Sequence, residues 1–61
     1  MRFLRRKEVE HRTGLARATI YAKVKARQFP APVKISAGAV AWLEDDVTRW
    51  QAERIAASRT N

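Results

Sequence analysis

The chain has 61 residues, with 13 Lys or Arg against six Asp or Glu, a formal net charge of +7 and no cysteine. That length predicts one small domain, residues 1–61, burying only about 60% of its unfolded surface, and it leaves no room for a second. The lack of cysteine excludes a disulfide framework and a cysteine-bound metal, so apolar side chains must hold the fold unaided.

Met1 to Leu4 reads as extended, with Phe3 and Leu4 free to lie against later elements. A first helix is expected over about 6–12, with Val9 as its main buried contact. Arg5, Arg6 and Lys7 sit at its N-terminus, where the helix dipole disfavours cations by some tenths of a kcal/mol. A neighbouring phosphate would reverse that penalty, which marks the three as candidate backbone contacts. His11, near the end of this helix, has no second histidine or cysteine to share a metal with and reads as a surface or helix-terminal group.

Thr13-Gly14-Leu15 is a tight turn, with Gly14 able to take positive φ at no steric cost. A second helix follows over about 16–27. Leu15, Ile20 and Val24 read as its apolar, core-facing set. At about 100° per residue the opposite face centres on Ala18 and Ala22. Arg17, Tyr21 and Lys25 flank it on one side, Thr19 and Lys23 on the other. Small side chains let a helix backbone approach a surface closely, and cationic or hydroxyl flanks suit phosphates, which is what a DNA major groove presents.

Pro30 and Pro32 end the helical path and impose an extended one. Val33-Lys34-Ile35 and Val40-Ala41-Trp42 alternate as half-buried strands, predicting a hairpin over 33–35/40–42 with Val33, Ile35, Val40 and Trp42 on one face. Ser36 to Ala39 makes the connection. A hairpin directly after a recognition helix is a wing, and two strands must pack on the helices to be stable. A third helix is expected over about 44–57, its inner stripe being Leu43, Val47 and Trp50. Glu44, Asp45 and Asp46 in its first turn offset the helix dipole. Three adjacent acids could also hold magnesium, but the chain supplies no nucleophile, base or phosphate-binding glycine loop beside them, so they read as structural and the protein as a non-enzyme with no cofactor. Ser58 to Asn61 is expected to fray. The predicted core is Leu4, Val9, Leu15, Ile20, Val24, Phe29, Val33, Ile35, Val40, Trp42, Leu43, Val47, Trp50 and Ile55.

Charge is distributed unevenly. Residues 1–35 hold ten Lys or Arg and two acids, net +8, whereas residues 36–61 hold three and four, net −1. A solubilising surface would not be so lopsided; a polyanionic partner would favour it. Nucleic acid fits better than a membrane, because the cations surround a helix with no wide exposed apolar stripe. No apolar run reaches membrane-span length and no signal-type stretch follows the basic N-terminus, so the expected location is the cytoplasm, at the nucleoid. The fold these elements predict is mostly α with a small β-hairpin, a winged helix-turn-helix.

Several short motifs in order strengthen this reading: E-V at Glu8-Val9, T-G-L at Thr13 to Leu15, R-A-T-I-Y at Arg17 to Tyr21, F-P-A-P-V-K at Phe29 to Lys34, A-V-A-W-L-E at Ala39 to Glu44, and V-T-R-W at Val47 to Trp50. In that order the chain resembles the AlpA-type prophage regulatory proteins, small excisionases among them, across nearly its whole length. The resemblance implies a winged domain like that of MerR-type proteins, binding double-stranded DNA of a prophage or integrative element. Its bearer would act as a transcriptional regulator, or as a recombination directionality factor that steers an integrase toward excision. It places Arg17, Thr19 and Tyr21 at the DNA-facing part of the second helix and Lys34 at the base of the wing. Serine is usual in the family at the positions of Ala16 and Ala18, and arginine at Ala22 and near Gly38. All four are small here, so the usual N-cap is missing and fewer polar groups can reach bases, with Lys23 and Lys25 left as phosphate contacts. A reader this small is expected to need neighbours, through cooperative head-to-tail self-association on DNA. The competing expectation is a protein-interaction module that docks on an integrase or another regulator through the third helix and the tail.

Overall fold

The computed structural model describes residues 2–59, in the order β1 (Phe3–Leu4), α1 (Arg6–Thr13), α2 (Arg17–Lys25), β2 (Val33–Ser36), β3 (Ala39–Leu43) and α3 (Glu44–Arg59). Three helices on a small antiparallel sheet match the expected class and are compatible with a winged helix-turn-helix. The extended N-terminus does more than lie against later elements. It pairs with β3, Phe3 opposite Leu43 and Leu4 opposite Trp42, so the hairpin becomes a three-stranded sheet in the order β1-β3-β2.

Leu4, Val9, Ile20, Phe29, Trp42 and Val47 form the buried cluster, with Leu15, Val24 and Trp50 half-buried against it. One residue comes from each helix and strand except β2, so the cluster is where the elements meet. Trp42 is its largest fully buried side chain. A buried indole needs an acceptor for its N–H. Trp42 Nε1 donates to the Pro30 carbonyl at 2.8 Å, and Trp50 Nε1 donates to the Gln28 carbonyl at 2.8 Å. Phe29 lies between those carbonyls in the chain and packs edge-on against Trp50, ring centres 4.8 Å apart. The connection from α2 to the wing is therefore pinned at three successive residues.

The helix-turn-helix corner forms as its residues predict. Gly14 has φ 73° and its N–H donates to the Glu10 carbonyl at 2.8 Å. Thr13 Oγ1 donates to the Val9 carbonyl at 2.7 Å and accepts from the Leu15 N–H at 3.3 Å, fixing the exit from α1. From α3, Gln51 Nε2 donates to the Arg12 carbonyl at 2.8 Å, satisfying one of the open carbonyls at the end of α1.

Three expectations are corrected. The second helix ends at Lys25, not near 27. Arg27 takes φ 61°, its N–H donates to Val24 and the Gln28 N–H donates to Lys23, the two bonds of a Schellman turn. The stop comes from that turn, before either proline. Second, Val33 pairs with Ala41 and Lys34 with Val40 in the ladder, so Val33 faces away from Val40 and Trp42. The register then slips by one between Lys34 and Ser36. Strand parity is strict, and this pairing turns Val33 (38% exposed) and Ile35 (40% exposed) out of the predicted core. Ala41 is buried instead, a small side chain in the central strand that its neighbours on both sides can cover. Third, α3 runs through Ser58 and Arg59, which were expected to fray, and Ile55 is 53% exposed on it. The remainder of that expected fraying, at residues 60 and 61, lies outside the described residues, as does Met1.

Two substitutions test this packing. Trp42→Phe loses a buried hydrogen bond and ring volume together and should cost about 2–3 kcal/mol, against about 1 kcal/mol for Trp50→Phe at its more open site. Arg27→Gly should do the reverse, because glycine takes positive φ without strain, and raise stability by about 0.5–1 kcal/mol or about 3–6 °C in Tm. Urea midpoints at unchanged m-value and thermal melts measure both.

Candidate nucleic-acid interface

The core face of α2 is taken by Ile20, buried, and Val24, half-buried. That leaves Arg17, Ala18, Thr19, Tyr21, Ala22 and Lys25 exposed, with Lys23 half-buried at one edge. The face centred on Ala18 and Ala22 is thus open, and its small side chains would let the helix backbone come close to whatever it meets. Ala16 stands at the N-cap and supplies no side-chain hydrogen bond, as its side chain predicts.

Along the wing side of α2, Arg17, Tyr21 and Trp42 follow one another. The Tyr21 ring lies 6.1 Å from that of Trp42, tilted by 58°, and the Arg17 guanidinium carbon lies 6.0 Å from the Tyr21 ring centre. Tyr21 is therefore set against the core by Trp42 and carries the Arg17 guanidinium over its ring. Arg17 is the first helical residue of α2.

Tyr21 also walls a hollow of about 290 Å³ completed by Arg5, Arg6 and Lys7 from the start of α1 and by Gly38, Ala39 and Val40 of the hairpin. Lys34 stands opposite Val40 in the ladder and is exposed. The structure thus brings the N-terminal cations, one flank of α2 and the wing to a single place, although they are far apart in sequence. Lys23 does not join them. It lines a second hollow of about 550 Å³ with Arg27 and Arg54, on the other flank.

Ion pairing sorts the cations. Arg2 pairs with Glu8 at 3.0 Å and with Glu44 at 3.7 Å, Arg6 with Glu10 at 2.7 Å, Arg12 with Glu44 at 2.6 Å and Arg49 with Asp46 at 3.5 Å. Among the described residues no carboxylate pairs with Arg5, Lys7, Arg17, Lys23, Lys25, Arg27 or Lys34. Of the predicted contacts only Arg6 is partly neutralised. The acids at the start of α3 gain a second use beyond the dipole, since Glu44 holds Arg2 and Arg12 and so ties α3 to the end of α1. Arg27 and Arg54 were absent from the sequence-predicted set. Arg27 hides in what reads as continuing helix, and Arg54 reaches this flank only through the packing of α3.

With this geometry in view, the family model for the prophage CP4-57 regulatory protein (AlpA) matches residues 2–55. The chain belongs to the AlpA family. A protein of Enterobacteria phage P4, described as uncharacterized protein ORF88, is 49% identical over 55 residues, which are 90% of this chain and 62% of that protein. This chain therefore spans less than two thirds of the length of its phage relative. The AlpA match runs from β1 into α3 and takes in both hollows, the corner at Gly14 and the whole wing. Among the described residues no helix is long and apolar enough to cross a membrane.

The bare N-cap of α2 yields a direct test. Ala16→Ser should restore a side-chain acceptor for the first turn and raise stability by about 0.5–1 kcal/mol, read as a higher urea midpoint. An unchanged midpoint would mean that the first turn of α2 gains nothing from capping.

Proposed function

We propose that this AlpA-family chain is a sequence-specific double-stranded DNA-binding protein that places α2 in the major groove, with Arg5, Arg6, Lys7 and Lys34 on the phosphates at the wing side. The observation that carries the reading is the open Ala18 and Ala22 face of α2, bordered by cations to which no described carboxylate is paired. In this reading Arg17, Thr19 and Tyr21 reach base edges, and Lys23 and Lys25 meet phosphates. Close backbone approach and groove shape supply part of the specificity, since few long polar side chains are available to read bases. The role is regulatory at prophage or integrative-element DNA, as transcriptional regulator or as excisionase. Cooperative binding by neighbouring copies would add the affinity that one small domain lacks.

A second reading has its own observation. Residues 52–59 of α3 are all exposed, with Ile55 among them, and the molecule is 43 Å long against 25 and 19 Å in its other dimensions. A helix end of this kind suits docking on an integrase or another regulator. The two roles are compatible in one chain.

Duplexes selected from a random pool separate base reading from phosphate contact. Arg17→Ala and Tyr21→Ala should each cost about 1–3 kcal/mol on the selected duplex and much less on a random one. Lys25→Ala should weaken both alike and make the salt dependence shallower by about one contact. Equal losses on both duplexes for Arg17 and Tyr21 would remove the base-reading role. Because Tyr21 steadies Arg17, the double variant should lose less than the sum of the two.

A further inference from the structure

We infer that Lys23, Arg27 and Arg54 form a second seat for a backbone phosphate of duplex DNA, on the flank of α2 that faces away from the wing. The inference rests on α2 lying in the major groove. At about 100° per residue, Tyr21 and Lys23 point to opposite flanks of the helix, roughly 160° apart. Each flank opens on a cationic hollow, the wing-side one at Tyr21 and the other at Lys23. A major groove is about 12 Å wide and a helix with its side chains is nearly as broad, so a seated helix has a phosphate strand on either side. Two cationic hollows on two flanks match two groove walls.

Arg27 supplies the independent observation. It takes φ 61°, a conformation that glycine adopts freely and arginine only with strain, and no described side chain hydrogen-bonds to it in return. The C-terminal end of the α2 dipole favours cations in general, which accounts for Lys23 and Lys25. It does not account for an arginine at the one position where glycine would be better, nor for Arg54 arriving at the same hollow from α3. Three cations without a described carboxylate partner line this hollow with a single acid, Glu53, and the Phe29 and Trp50 rings give it a rigid apolar wall. A guanidinium presents parallel N–H donors that match two phosphate oxygens, so Arg27 and Arg54 suit a phosphate better than a diffuse anionic surface.

The test measures fluorescence anisotropy of a selected and a random duplex with the full chain across a salt series, with thermal melts of each variant. Arg27→Gly should melt higher than the unaltered chain yet bind both duplexes about three- to tenfold more weakly at moderate salt, its slope of log K against log salt shallower by about 0.9. Arg54→Ala should show the same loss and slope on both duplexes, and Glu53→Gln should tighten binding to both. Wild-type affinity and slope in Arg27→Gly and Arg54→Ala, while the unaltered chain binds DNA, would overturn the second seat and leave the reading of α2 standing. A loss confined to the selected duplex would overturn it too, making Arg27 a base contact. No binding by the unaltered chain to either duplex would overturn both. Weakened binding of an acidic peptide, with duplex binding intact, would assign the hollow to a protein partner instead.

Discussion

The buried indole of Trp42 is the constraint on which the other elements depend. It lies in the central strand, between β1 and β2, and contributes the largest side chain to a cluster drawn from α1, α2, α3 and the α2–β2 connection. Its N–H must find an acceptor, and the acceptor is the Pro30 carbonyl, so the chain leaving α2 cannot wander. Its ring meets Tyr21, so the wing side of α2 is set against the sheet. In a chain of 61 residues with no disulfide, one side chain that positions the sheet, α2 and the linker at once replaces the staple that small folds usually need.

Charge is arranged around that frame rather than spread over it. Glu8, Glu10, Glu44 and Asp46 are engaged with Arg2, Arg6, Arg12 and Arg49, contacts that are partly or largely exposed and stabilise by only a few tenths of a kcal/mol each. Their larger effect is positional. Arg2 and Arg12 are held with Glu8 and Glu44 where the N-terminal segment, α1 and α3 meet, and apart from Arg6 the cations on the flanks of α2 have no described acid partner. The positive field of residues 1–35 is thereby concentrated beside one helix, which is the arrangement that steers a polyanion to a groove-sized feature.

Much of this is legible in the sequence. Gly14 marks the corner, Ile20 and Val24 mark the inner face of α2, and Ala18 and Ala22 mark its outer face, because each depends on local conformation or a short helical period. What fails to read depends on choices the chain makes over distance. The outward turn of Val33 and Ile35 follows from the pairing of β2 with β3, and alternation within each strand does not reveal how one strand meets the other. The end of α2 is obscured because its Schellman turn is built on Arg27, where glycine would have announced it. Glu44 finds Arg12 across 32 positions, and Lys23 finds Arg54 only because α3 folds back beside the end of α2. The two flanks of the helix were visible as a pattern, but the hollows on them required the tertiary structure.

If α2 is the element that enters DNA, amide NMR during titration with a selected duplex will register it there. The largest shifts should fall on residues 17–25 and on the walls of the two hollows, with Phe3 on the outer face of the sheet unmoved. Shifts confined to the exposed half of α3, with the amides of Arg17 to Lys25 unchanged, would contradict it.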